Sequence, residues 1–246
     1  MLRRFQADLH IHTCLSPCGD LQMSPQKIVA RILQLGIEIV AICDHNSTEN
    51  IHPVMKAAEG RKVVVLPGME ICSSEEIHVL AIFGDLDSAF GLQALVYDRL
   101  PGTNDPKAFG LQVVANEFDE VVGFQDKLLI GATELTVEQV VDEIHQRGGL
   151  AIASHIDRET FSVIGQLGFV PESVEFDALE LSGDIGYDEA LAKFCKYKAY
   201  TFVRNSDAHF IADVGRKVSE FMLEQPSFLE IAKALRRENG RSVLTT

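Results

Sequence analysis

Six of the eight histidines stand in or beside a stretch that reads as a β-strand. His10 and His12 end the first such stretch, FQADLHIH. His45 follows the second in ICDHN, His78 opens the fourth, His155 ends the fifth, and His209 follows the last in NSDAH. Glu70 follows the third strand in PGMEI, and Asp207 shares the last motif. Imidazole nitrogens and carboxylate oxygens are the usual ligands of zinc, manganese and iron. His-x-His on a strand sends both imidazoles to one face, close enough for one metal or two neighbours. Any one of these residues could be a polar group at a wet rim. Together and unpaired they would be costly in desolvation and repulsion, and divalent cations resolve that conflict.

The elements that must position them alternate along the chain. Strands are expected at 5–12, 37–43, 63–67, 77–83, 149–154, 178–182 and 200–204, by alternation or by short apolar runs. In the first, alternation puts Asp8, His10 and His12 on one face. Helices are expected from Ser24-Pro25 to Gly36, around 49–58, and at 136–147, 187–197 and 227–238. Ser24 is the expected N-cap of the first, and Ser227 with Glu230 the capping box of the last. About seven parallel-type strands, mostly separated by helices, mean an α/β fold, open or closed into a barrel. In a parallel barrel the C-terminal strand ends gather at one rim, where active sites form. His78 stands apart, because it opens its strand. The stretch 84–134 is the least regular: a helix-like piece at 86–98, a PGTNDP loop and a hairpin around NEFDE. It reads as an insertion in a single domain spanning 1–246, shaping the pocket.

Composition narrows the class. The formal net charge is −14, with 46% hydrophobic residues, which is a core-forming composition and not a disordered one. Such acidity argues against gripping long nucleic acid or an anionic membrane through a basic face. There is no signal-peptide pattern and no apolar run near the ~20 residues of a membrane helix. Five cysteines, an odd count, do not suggest a disulfide framework, so a cytoplasmic protein with free thiols is expected. His52 and His145 read as surface groups, and Cys43, Cys72 and Cys195 as small core fillers.

Five motifs in order, DLHIHT, CDHN, PGME, SHID and SDAH, resemble those of the polymerase-and-histidinol-phosphatase (PHP) superfamily across residues 8–209. The resemblance implies a distorted (β/α)7 barrel holding two or three divalent ions (zinc, iron or manganese) at its C-terminal rim. It also implies hydrolysis of a phosphate ester by a metal-bound hydroxide. Matched motif by motif, His10, His12 and Asp207 correspond to ligands of the first metal and Glu70 to the bridging carboxylate. His78 and His155 correspond to ligands that complete the second metal, and His45 and His209 to ligands of the third. Eight positions after His10, where the family often has histidine, stands Cys18, whose thiolate would favour zinc or iron. Asp20 is the alternative ligand in that loop.

Asp8 and Asp44 are expected to orient ligand imidazoles. Arg158, three residues after His155, is a candidate phosphate clamp. A positive metal site in an acidic body predicts a small phosphorylated partner: a phosphomonoester, nucleotide or short oligonucleotide, and not duplex DNA or a membrane. Two other readings compete: an amidohydrolase, which would need a metal-bridging lysine, and a non-catalytic metal-binding module. The oligomeric state is open.

Overall fold

The computed structural model describes residues 1–182 and 185–244. The first half runs β1 (Arg3–Ile11), α1 (Pro25–Leu35), β2 (Ile39–Ile42), α2 (Ile51–Ala57), β3 (Val64–Cys72), β4 (His78–Ile82), α3 (Leu86–Arg99), α4 (Pro106–Phe109), β5 (Val113–Ala115) and β6 (Val121–Phe124). The second runs α5 (Val137–Gln146), β7 (Leu150–Ala153), α6 (Val163–Leu167), β8 (Ala178–Leu181), α7 (Tyr187–Lys193), β9 (Phe202–Arg204), β10 (Ser219–Leu223), α8 (Phe228–Leu235) and β11 (Ser242–Leu244). Among the described residues no helix is long and apolar enough to cross a membrane.

Nine strands form one sheet in the order β11-β10-β1-β2-β3-β4-β7-β8-β9. It curls until it nearly closes. The segment after β9 lies along the C-terminal half of β1: Ile11 bridges Ala208, and the His12 amide donates to the Ala208 carbonyl at 3.0 Å. The Leu9 amide donates to Asn205 Oδ1 at 2.8 Å. The interior is apolar, built by Phe5, Ala7, Leu9, Ile39, Ala41, Leu66, Leu80, Ile152 and Val203. Outer layers cover the sheet with α1 and α2 on one side and α3 and α5 on another.

The expectation of seven parallel strands is corrected at β4. It runs antiparallel to both β3 and β7, with Cys72 opposite His78. The connection from Cys72 to His78 is too short for a crossover helix, so only a hairpin can form. Burial on both faces gave β4 the continuous apolar pattern of a parallel strand. Reversal explains His78: the start of an antiparallel strand lies at the rim where the parallel strands end.

A second correction falls in β1. Ala7 and Asp8 pair with Ile39 and Val40, but Ile11 pairs with Ile42, so β1 holds one extra residue. This bulge shifts the alternation. Leu9 points inside, and after the bulge His10 and His12 do so as well. Asp8 is left facing out, where it accepts the Ser206 and Gly215 amides at 3.0 Å each. Among the described residues it bonds to no imidazole; it holds the loop that carries Asp207 and His209.

Local chemistry differs in small ways. Ser24 makes no capping bond, and Pro25 starts α1 regardless. Ser227 caps α8, but the Glu230 carboxylate turns to the Glu224 amide and to Arg241 instead of closing a box. Strands β10 and β11, not expected, extend the sheet beyond β1. Cys43 and Cys72 are buried as expected, whereas Cys195 is exposed. His52 is exposed; His145 is half-buried and bonded to Asp177 at 2.9 Å.

The hairpin expected around 116–120 is formed by β5 and β6. Buried amides fasten this stretch to the barrel. Asn50 donates to Thr13 Oγ1 and to the Val113 carbonyl and accepts the Ala115 amide, at 2.9–3.0 Å. Asn46 donates to the Leu129 and Gly131 carbonyls at 2.8 Å and accepts the Cys72 amide at 3.1 Å. Asn50→Ala strands buried partners that water cannot reach. It should cost about 2–3 kcal/mol, read as a lower urea midpoint at unchanged slope. A change under about 0.5 kcal/mol would show that the hairpin is anchored elsewhere.

Candidate metal centre

Glu70 is the hub of the rim. Its carboxylate is only 1% exposed. The β2–β3 pairing is carried past the strand end by a bridge between His45 and Glu70, which places both at one level. Around the carboxylate stand His10 Nε2 (3.4 Å), His12 Nε2 (3.3 Å), His45 Nδ1 (3.2 Å), His78 Nδ1 (3.0 Å) and His155 Nε2 (3.3 Å). Asp207 Oδ1 lies 3.3 Å from His10 Nε2 and 3.2 Å from His12 Nε2. His209 stacks on His12 with ring centroids 4.0 Å apart. These eight predicted residues therefore meet in one place.

Donor atoms close enough to share an ion form three groups: His10, His12, Glu70 and Asp207; His45, Glu70 and His78; and His12, His45 and His209, each within 4.8 Å. Glu70, like His12 and His45, belongs to two of them, and its two carboxylate oxygens could serve one ion each. His155 stands beside the second group through Glu70. Cys18 is exposed and in none of these groups. Asp20 is in none either: its Oδ1 accepts the Gln22 amide at 2.7 Å, and its own amide donates to the His209 carbonyl at 2.8 Å.

The surrounding bonds set which imidazole nitrogen is free. Glu180, absent from the sequence-based candidates, holds His10 Nδ1 with both oxygens at 3.1 Å. It also accepts the His155 amide at 2.9 Å and the Asn205 side chain at 2.7 Å. A carboxylate only accepts, so His10 Nδ1 carries the proton and Nε2 faces the centre. The one available signal was an acidic residue inside the apolar run ALEL. Asp44 acts at one remove: Ser16 Oγ donates to it at 2.6 Å and stands 2.9 Å from His12 Nδ1. Asp44 also receives the Thr13 amide and hydroxyl at 2.7 Å each.

The residues present fit divalent metal. His10 Nε2 and His12 Nε2 face each other at 3.1 Å; with both outer nitrogens protonated, these two lone pairs need a proton or a metal ion between them. Asp207 Oδ1 and His155 Nδ1 are buried with no hydrogen-bond partner among the described residues. Burial works against ionisation at Glu70 and Asp207, yet neighbouring imidazoles hold both carboxyls well below the usual range. Burial would also lower His10, but Glu180, Asp207 and Glu70 outweigh it and raise its pKa well above the ordinary value. Carboxylates that hold a proton on His10 this firmly make the spot negative enough to favour a metal cation, which would displace that proton. Burial, with the imidazole of His12, keeps His45 well below the ordinary value and brings His209 to about 4. Both are neutral near pH 7, as a metal ligand must be.

Several of these positions are conformationally strained. His155, Asp207 and Asn46 have φ of +29°, +48° and +49°. Left-handed backbone in non-glycine residues costs of order 1–3 kcal/mol each and clusters at functional sites. Beside the centre is a cavity of about 180 Å³, lined by His45, Glu70, His78, His155, Arg158, Phe161 and His209 among others. Arg158 is 39% exposed there and donates to Asp207 Oδ2 at 2.6 Å.

Fold and site together define a barrel hydrolase that works with bound divalent metal. The chain belongs to the PHP domain family, which residues 8–146 match, and residues 191–239 match the PHP-associated family. It is similar to the uncharacterized Bacillus subtilis protein YqxK, at 26% identity over 99% of this chain and 65% of that protein. It is also similar to the Escherichia coli 5′-3′ exoribonuclease Rnm, at 27% identity over 63% of this chain and 67% of that protein. The endonuclease Q of Pyrococcus furiosus shares the fold with a TM-score of 0.74 at 19% identity, over 98% of this chain and 58% of that one. The chain thus spans less than two thirds of YqxK and of endonuclease Q.

An endonuclease Q structure holds a 27-mer duplex substrate with an abasic lesion at the active site. That overturns the expectation, drawn from the −14 charge, of a small phosphorylated partner and no duplex nucleic acid. Net charge sums the whole surface, whereas a substrate meets the local field of the rim.

Glu180→Gln keeps the shape and removes the charge behind His10. Metal affinity should fall about 10- to 100-fold, read by chelator competition, with the circular dichroism spectrum unchanged. Wild-type affinity would show that His10 needs no such partner. Cys18→Ala should leave bound metal per chain unchanged by elemental analysis; loss of an ion would return Cys18 to the ligand set.

Proposed function

We propose that this chain hydrolyses phosphodiester bonds in nucleic acid, with RNA as the preferred substrate, using two or three divalent ions held around Glu70. The observation that carries the reading is the buried Glu70 carboxylate shared between two groups of donors. The ligands would be His10, His12, His45, Glu70, His78, His155, Asp207 and His209. With Cys18 outside the groups, the nitrogen and oxygen donors suit zinc, iron and manganese alike. Exoribonucleases among the relatives support RNA.

When bound, divalent ions lower the pKa of water towards ~7 and offset phosphoryl charge. The chain's own groups do the rest. Glu180 and Ser16 hold the outer nitrogens of His10 and His12, so that both present Nε2 to the centre. Arg158 keeps one nitrogen on Asp207, and its remaining donors at the cavity mouth can take a phosphate oxygen. The cavity is half-open, so a strand end could reach the centre from its mouth. No lysine lines the cavity among the described residues, which argues against the amidohydrolase reading.

The test is turnover of a substrate panel by protein stripped of metal and reloaded with manganese, zinc or iron. The panel holds 5′-phosphorylated RNA, single-stranded DNA, duplex DNA and sugar phosphates. RNA shortening that depends on metal and is abolished in Glu70→Ala is expected. No metal-dependent turnover of any nucleic acid in the panel, with or without turnover of sugar phosphates, would sink the reading. Arg158→Ala should lower kcat/KM about 10- to 100-fold with metal content intact, the loss of a charge-assisted hydrogen bond.

A further inference from the structure

Phe161 has no part in the metal centre, yet it lines the same cavity. One face of its ring is stacked on His78, with centroids 4.8 Å apart and planes 23° from parallel. The residue is still 40% exposed, so the remaining ring surface lies open at the cavity mouth. Its backbone is held at φ +56°, a conformation that is an outlier for so bulky a side chain. Two bonds keep it there. The His78 amide donates to the Phe161 carbonyl at 3.0 Å, and Ser162 Oγ donates to the Arg158 carbonyl at 2.6 Å. With 40% of the residue exposed, burial of the ring offsets less of this strain than a fully buried phenylalanine would.

The cavity is small. At about 180 Å³ it is below the ~300 Å³ at which ordinary ligand pockets begin. A phosphate and part of a sugar can enter, and the rest of a nucleotide must lie across the mouth. Arg158 and Phe161 stand three residues apart on one strained turn, the first able to hold phosphate and the second offering an open aromatic face. Aromatic rings at such mouths hold bases by stacking, whatever the base, because every base has a π-face.

We propose that Phe161 is the stacking platform for the nucleobase beside the scissile phosphate, so that the site reads the presence of a base but not its identity. This rests on the nucleic-acid reading above. The test uses the metal-loaded protein and two 5′-phosphorylated RNA dinucleotides, one intact and one abasic at the nucleotide beside the scissile bond. The readout is the ratio of kcat/KM, intact over abasic. Phe161→Leu, which keeps bulk without an aromatic face, should lower that ratio about tenfold or more. Phe161→Trp should restore it, and both variants should bind metal as the wild type does. The ratio should change little when adenine, uracil, guanine and cytosine are exchanged in wild type. An unchanged ratio in Phe161→Leu, or an equal loss on both substrates, overturns the stacking role while leaving the hydrolase reading intact. If wild type turns over no nucleic acid of the panel above, the nucleic-acid reading itself fails; turnover of the panel's RNA but of neither dinucleotide overturns this proposal alone.

Discussion

The structure depends on keeping one carboxylate ionised where water is excluded. Glu70 sits at the barrel rim among five imidazoles, and its charge is sustained by them rather than by solvent. A buried charge without partners would cost several kcal/mol, so every element that brings an imidazole within reach is under constraint from that one group. The barrel supplies the convergence: six separate strands, five at their C-terminal side and β4 at its start, deliver donors to one place. The outer ring of Glu180, Asp44 and Ser16 then settles where protons rest, which decides whether the convergence is attractive or repulsive.

Much of the site was legible before the fold was. Histidines and acids at the ends of apolar runs mark a rim, and all eight of those residues meet at Glu70. What was not legible lies where period-two alternation breaks. The bulge in β1 leaves no mark in composition, yet it turns Asp8 away from the residues with which alternation grouped it. Glu180 was hidden because its neighbours read as ordinary buried strand, and a lone acid there shows its purpose only once His10 is opposite. Cys18 held its place by counting from His10. Loops do not keep count, and that thiol stands outside the three donor groups.

The fold class was readable from the alternation of elements, but sheet closure was not. The barrel is sealed along β1 by residues 205–208, too short a strip to read as a strand. That strip contains Asp207 and leads directly into His209. The part that completes the sheet and the part that completes the metal centre are therefore one segment, tied through Asp8. The acidic surface charge proved the least informative quantity, because it averages over a surface on which the rim is a small fraction.

The reversal of β4 carries a consequence for how this chain can vary. His78 is placed by pairing with β3 on one side and β7 on the other, not by its distance along the chain from Cys72. Residues added to the turn between Cys72 and His78 would bulge into solvent and leave the imidazole where it is. A single residue added within β4 would slip the register and turn His78 from the barrel interior to its outer wall. Length is thus free on one side of this histidine and forbidden on the other.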